Sequence, residues 1–292
     1  MRHSEILVAS TQSSVAAILD VMSSVPTHTL SPALSPFVAG IHYHESEPTP
    51  SLERILPGGR VHLMVNLYED EFRTYHGADC RVVRRSHGAV LEGAASEARV
   101  IDTGLQRCLV SVDFTLGGAA AFFKAPLSEA CDELVELDHL WGSDGARLRE
   151  RLLEAPTPAA KLQVLEDVLL DHLIRRDDPD PAIPFAAALF ERGASVSEVS
   201  SRVGLLPKTL VRRFLALVGL SPKRFSRVRR LQRVVGSIRD PGDVDWCEIA
   251  AVHGYADQAH LVHDFRELTG ITPTAYRPRS TEEQNHVPVD PG

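Results

Sequence analysis

The sequence predicts an α+β protein. A β-rich front half, a small sandwich or barrel with a helical appendage, precedes an all-α domain of two helix-turn-helix units joined by a long helix. Three observations carry this expectation. Short strand-like runs separated by Gly and Pro fill residues 30–120. One helix–turn–helix pattern occurs twice between Ala182 and Arg279. Charge divides the same way: residues 182–280 hold 15 Lys and Arg against 9 Asp and Glu, a net +6, and the remainder of the chain carries −14.

The 292 residues suggest two domains, and 43% hydrophobic with 24% charged residues is ordinary for a soluble chain. The overall charge of −8 argues against a nucleic-acid partner until its distribution is read. No run of 18 apolar residues predicts a membrane span. Residues 1–29 read as a poorly specified leader with one short helix near Val15–Met22 and no signal peptide. Cys80, Cys108, Cys131 and Cys247 form no CxxC pair, so reduced thiols in a cytoplasmic protein are expected.

Residues 30–174 form the expected β-rich domain with its helices. Phe37–His44 alternates, Val61–Tyr68 is apolar after the Pro57-Gly58-Gly59 turn, and Phe72–Tyr75 suits its hairpin partner. Further strands fit Gly88–Gly93, Arg99–Thr103 and Cys108–Phe114. Helices are expected to start at Gly117–Phe123 and to continue over Pro126–Trp141, Gly145–Leu153 and Pro158–Leu173. Leu148, Leu152, Leu162, Leu165, Val168 and Leu169 supply their buried stripe. The charged, Pro-rich residues 175–181 read as a linker and residues 280–292 as a disordered tail.

The domain at 182–279 contains the duplication. Val196–Val203, the turn at Gly204 and a second helix from Pro207 or Lys208 to Val218 make the first unit. Trp246–His253, the turn at Gly254 and a helix ending near Thr269 make the second. Both second helices close on Gly, an apolar residue and then Pro: Gly219-Leu220-Ser221-Pro222 and Gly270-Ile271-Thr272-Pro273. Leu210, Phe214 and Leu217 should form the buried face of one second helix, and Leu261, Phe265 and Leu268 that of the other. Between the units, Phe225, Val228, Leu231, Val234, Val235 and Ile238 recur at helical spacing on a rod rich in Arg. The rod should hold both units for successive major grooves of one DNA face, with about half of its cations on phosphates.

These units, the helix between them and the run Phe265–Arg277 resemble the DNA-binding domain of the AraC/XylS family of transcription regulators, over about a third of the chain. More weakly, Leu56-Pro57-Gly58-Gly59, Asp113–Ala119 and Leu137–Gly142 resemble the cupin-like regulatory domain that many such bacterial proteins carry in front. The resemblance implies a non-enzymatic transcription factor that binds double-stranded promoter DNA and answers to a small-molecule effector or to homodimerisation. It would meet RNA polymerase if it activates. Anchored on Leu210 and Phe214, the resemblance makes Lys208, Val211 and Arg212 base-facing, with Thr209 beside them and Arg213 nearer a phosphate. Arg212 suits a bidentate guanine contact, and Val211 a thymine methyl. In the second unit Gln258, Ala259, His260, Val262, His263 and Arg266 surround the exposed face; family members often carry Arg where His263 stands, so this unit is expected to add mostly backbone affinity. Lys223, Arg224 and Arg227 of the rod complete the expected DNA-binding set.

Catalytic groups, cofactors and metals are not expected. His42, His44, Glu45 and His62 lack the cupin spacing of a metal site. Asp113, Asp138 and His139 have no nucleophile motif beside them, and Gly117-Gly118 lacks the Lys of a phosphate loop. The rival readings are a DNA-repair alkyltransferase-like enzyme fused to the same DNA-binding module and a small-molecule binder with a vestigial one. The first needs a reactive Cys in a Pro-Cys-His-Arg-like setting, which none of the four has.

Overall fold

The computed structural model describes residues 28–47, 51–76, 80, 82–174, 180–239, 242 and 244–289. The leader helix expected at Val15–Met22 and most of the linker lie outside them.

Among the described residues, ten strands form two antiparallel five-stranded sheets. One has the order β1 (Val38–Glu45), β8 (Cys108–Phe114), β3 (His62–Asn66), β6 (Ala89–Glu92), β9 (Leu134–Glu136). The other runs β10 (His286–Pro288), β2 (Leu52–Ile55), β7 (Arg99–Asp102), β4 (Glu71–His76), β5 (Val82–His87). The expected strands are present, but one expected pairing is corrected: Phe72–Tyr75 lies in β4, which pairs with β5 and β7 in the second sheet and is not the hairpin partner of β3, because the chain crosses from one sheet to the other between them. Those the pattern missed have identifiable reasons. β2 is four residues with Glu53 and Arg54 at its centre, and β5 is exposed along most of its length. Neither shows the alternation by which a half-buried strand is read.

The helical expectation for Pro126–Trp141 is corrected. That stretch divides into a 3-10 turn at Leu127–Ala130, β9, and only then α1 (Leu137–Trp141). The helix at Gly117–Phe123 is likewise a single 3-10 turn, Gly118–Ala121. Beyond lie α2 (Ser143–Glu154) and α3 (Pro158–Asp171), the latter capped by Thr157, whose Oγ1 accepts from Ala160 N at 3.1 Å. All six residues expected in the helical stripe are buried. Trp141 stacks between Phe123 and His172 and donates to Phe122 O, so it belongs to the core.

The C-terminal half is helical: α4 (Ala182–Glu191), α5 (Val196–Val203), α6 (Pro207–Val218), α7 (Pro222–Ser237), α8 (Trp246–Val252) and α9 (Gln258–Thr269). One hydrophobic cluster runs from Leu34 in the front half through Phe225 to Tyr276, so the two halves share a core.

The expected disordered tail is the largest correction. Residues 276–289 return to the front half as a strap that ends in β10, paired with β2. Its ties are specific. His286 Nδ1 meets Glu53 Oε2 at 2.8 Å where both side chains are buried, Leu56 N donates to Asn285 O, and Tyr276 OH donates to Gln284 O. The tail's polar composition hid this, because its stability comes from ladder bonds and from the ion pairs of His286 and Arg279 with Glu53, with Val287 as the buried apolar residue of β10.

Candidate nucleic-acid interface

The two helix-turn-helix units are built by the same local devices. In the first, Ser195 and Glu198 form a reciprocal capping box on α5 (2.9 and 3.2 Å). In the second, Asp245 caps α8 through the amides of Cys247 and Glu248. Both turns need a left-handed residue, and glycine supplies it: Gly204 at φ +69° and Gly254 at φ +73°. The bonds that close the turns also match, Leu205 N to Ser200 O (3.2 Å) and Tyr255 N to Ala250 O (2.9 Å), each five residues apart.

Past the turn, Pro207 occupies the first position of α6, and Asp257 caps α9 by accepting from His260 N at 2.7 Å. α9 buries Leu261, Phe265 and Leu268 as expected. On α6 the stripe is Leu210, Phe214 and Val218; Leu217 is half-buried and faces Gly117 of the front half instead.

The exposed faces carry the expected reader residues. Lys208, Arg212 and Arg213 are exposed on α6, with Thr209 and Val211 half-buried between them. Arg213 leans on Asp180 at 3.5 Å. On α9, Gln258, Ala259, His260, His263 and Arg266 are exposed and Val262 is half-buried. His260 Nδ1 lies 3.3 Å from Ala256 N, and His263 stands 3.8 Å from Glu267. A cleft of about 1130 Å³ opens between the units, and Arg192, Lys223, Arg233, His253, His260 and His263 are among its walls.

The rod α7 differs from expectation. Its 16 residues span about 24 Å, but most of its arginines are already paired. Arg227 reaches Asp264 at 2.6 Å and Glu267 at 2.7 Å. Arg230 reaches Asp264 at 3.3 Å and lies over the Tyr255 ring. Arg229 pairs with Glu191 at 2.6 Å, and Arg224 with Glu97 of the front half at 3.0 Å. Hydrogen bonding to Glu267 and Asp264 holds the Arg227 guanidinium well above its usual range despite partial burial. These pairs fasten α7 to α4, to α9 and to the front half. The sequence showed the cations; their partners, 34 to 127 residues away, are visible only in three dimensions.

Residues 188–279 match the family model described as a helix-turn-helix domain. Over these residues, about a third of the chain, the protein carries a helix-turn-helix domain of the AraC type. Residues 27–136 match a second model, described as a domain of unknown function (DUF6597). No match was found among curated protein sequences. Solved structures with a similar outline include ToxT from Vibrio cholerae in its apo form, at 11% identity over 81% of this chain and 96% of that one, TM-score 0.41. ToxT bound to unsaturated fatty acid matches at 11% identity over 87% and 96%, TM-score 0.40. ToxT bound to (E)-4-(8-methylnaphthalen-1-yl)but-3-enoic acid matches at 11% over 81% and 97%, TM-score 0.42.

Asp113 sits between His62 Nδ1 (2.9 Å) and His42 Nε2 (3.5 Å); their hydrogen bonds outweigh burial and hold its carboxyl far below the usual range. Burial and Asp132 push the Cys131 thiol up to about 12, and burial raises Cys108, so neither is an activated nucleophile. Among the described residues, no helix is long and apolar enough to cross a membrane.

Proposed function

We propose that this AraC-type protein is a sequence-specific transcription regulator that binds double-stranded promoter DNA and is controlled by a small molecule held in its β-sheet half. The observation that supports this best is the duplicated unit itself. Two second helices, each preceded by a matching glycine turn and closed by a left-handed glycine (Gly219 and Gly270), keep polar and cationic side chains on their open faces. In this reading Arg212 makes the main base contact, worth about 1–3 kcal/mol of discrimination. Lys208, Lys223 and Arg266 hold phosphates, and α9 adds affinity with little base readout. A DNA-binding regulator acts where the DNA is, which in a bacterium is the cytoplasm.

For the effector we propose the cavity between the two sheets. Apolar walls such as Leu56, Met64 and Phe72 meet Arg60, Arg73 and Arg99 there, with Glu92 bonded to Arg99 at 3.0 Å. That lining suits a small molecule with an apolar body and an anionic group.

A gel shift with the DNA upstream of the protein's own gene tests the DNA-binding reading. The expected result is a salt-sensitive shift that excess random DNA does not abolish. A shift removed equally by specific and random competitors would overturn it.

A further inference from the structure

We propose that the loop between β6 and β7, residues 93–98, sets the placement of the two recognition helices, α6 and α9, relative to each other and passes to them the state of the sheet cavity. Its regulatory meaning rests on the reading proposed above; its mechanics do not.

The loop touches the carboxyl ends of both helices. At the end of α6, Gly219 has φ +89°, and a Cβ there would lie 3.2 Å from both Ala94 Cβ and Leu127 O, so the front half packs directly against this cap. At the end of α9, Ala98 N donates to Leu268 O at 2.9 Å, satisfying a carbonyl that has no partner within the helix. The adjacent Thr269 O accepts from Arg54 Nη1 at 3.3 Å. Between these contacts, Glu97 reaches Arg224 at the start of α7. One six-residue segment therefore meets the end of each recognition helix and the start of the rod that joins them.

The segment is held firmly from behind. Asp132, a non-glycine residue at φ +61°, accepts from Ser96 N (2.5 Å), Ser96 Oγ (2.8 Å) and Glu97 N (3.2 Å). Left-handed backbone at an aspartate is uncommon and persists where surroundings impose it.

The same segment borders the cavity. Ala95 lines it, and Ala95 O accepts from Gly59 N at 3.0 Å. Gly58 and Arg60, on either side of Gly59, line it too, while Gly59 itself packs on Val228 of α7. This partly open cavity holds about 60 Å³, room for a few waters. A larger occupant has to push a wall outward. Most of its lining residues belong to β2, β3, β4, β6, β7 and β9, locked in ladders; outside strands the lining comes from Gln106 and from the loops at 56–60 and 93–98, and these two loops rest on the DNA-binding half. Filling the cavity therefore moves the contacts that position α6 and α9.

The distance between spin labels at Lys208→Cys and Gln258→Cys, in a full chain whose native cysteines are alanine, reads this directly and needs no DNA. Ala98→Pro removes the donor to Leu268 O, and Ala95→Leu adds bulk at the cavity wall. Each should displace or broaden the distance distribution by about 2 Å or more, the scale of helix shifts at packed interfaces. Arg54→Ala, which leaves the loop backbone unchanged, should do the same and decides the matter if Ala98→Pro does not fold. Unchanged distributions in folded Arg54→Ala and Ala95→Leu would overturn the proposal. A moving distance in a protein that never shifts DNA would sink the regulator reading and leave the coupling standing; selective DNA binding with an immobile distance would do the reverse.

Discussion

Arg212 and Arg229 carry the same side chain into opposite settings. Arg212 is exposed on α6 and has no ion-pair partner among the described residues; Arg229 is 12% exposed and bonded to Glu191 at 2.6 Å. Removing the first costs a prospective DNA contact and no internal one. Removing the second leaves a half-buried carboxylate without its cation. We expect Arg212→Ala to keep the melting temperature of the parent and lose preference for its site over random DNA by roughly tenfold or more, the equivalent of one bidentate base contact. We expect Arg229→Ala to lose about 1–2 kcal/mol of stability with its site preference intact. Urea titration and competition binding on both variants check this, and a stability loss confined to Arg212→Ala would contradict it.

At the scale of elements, the strap behaves as a separable part. Its two titrating neighbours act in different pH ranges. Burial, followed by Arg279 and His286, lowers the pKa of His44 below 6.5, so the unfolded chain takes up a proton there before the folded one does. Stability therefore falls as pH drops below about 6.5. Burial would raise Glu53, but His286 and Arg279 outweigh it and lower its pKa below 4.5, so that ion pair is lost only in stronger acid. Between these limits protonation of His44, which sets a charge beside Arg279 and His286, should loosen the strap. The Leu56 amide, which donates to Asn285 O, reports it: its hydrogen exchange should quicken from pH 7 to 5 beyond the intrinsic chemical trend. His44→Gln should flatten that excess, and a chain ending at Arg279 should exchange fast at every pH. An excess that survives His44→Gln would place the sensitivity elsewhere.

The same elements show what the sequence disclosed. Helix ends were legible because they are written locally, in Ser195 with Glu198, in Pro207 and in the paired glycines. Strands with one apolar face were legible for the same reason. β2 and β10 were not, since each is defined by the other across more than 200 residues and neither alternates. Helical spacing gave the buried face of α9 and most of that of α6, whereas the assignment of Lys208, Val211 and Arg212 to bases came from the family resemblance. The arginines of α7 could not be assigned, because a cation looks the same in sequence whether it faces a phosphate or Asp264.

For the whole molecule, that last difference sets how DNA binding should respond to salt. A rod with free cations would neutralise about six phosphates and give a log–log slope near −5. In the structure Arg224, Arg227, Arg229 and Arg230 are paired internally, leaving Lys208, Arg212, Lys223 and Arg266 as exposed cations without ion pairs among the described residues of the predicted set. Three of these, Lys208, Lys223 and Arg266, are the proposed phosphate contacts and correspond to a slope of about −2.7, measurable by fluorescence anisotropy between 50 and 200 mM salt, roughly the range over which such contacts separate strong from weak binding. Glu97→Gln sharpens the test. It removes the nearer of the two front-half carboxylates on Arg224, Glu97 at 3.0 Å beside Asp132 at 3.4 Å, so the arginine turns more readily to a phosphate and the slope should steepen by up to about one. A parent slope already near −5, unchanged by Glu97→Gln, would mean that DNA displaces the internal carboxylates unaided, and that the front half exerts no electrostatic restraint on the domain it grips.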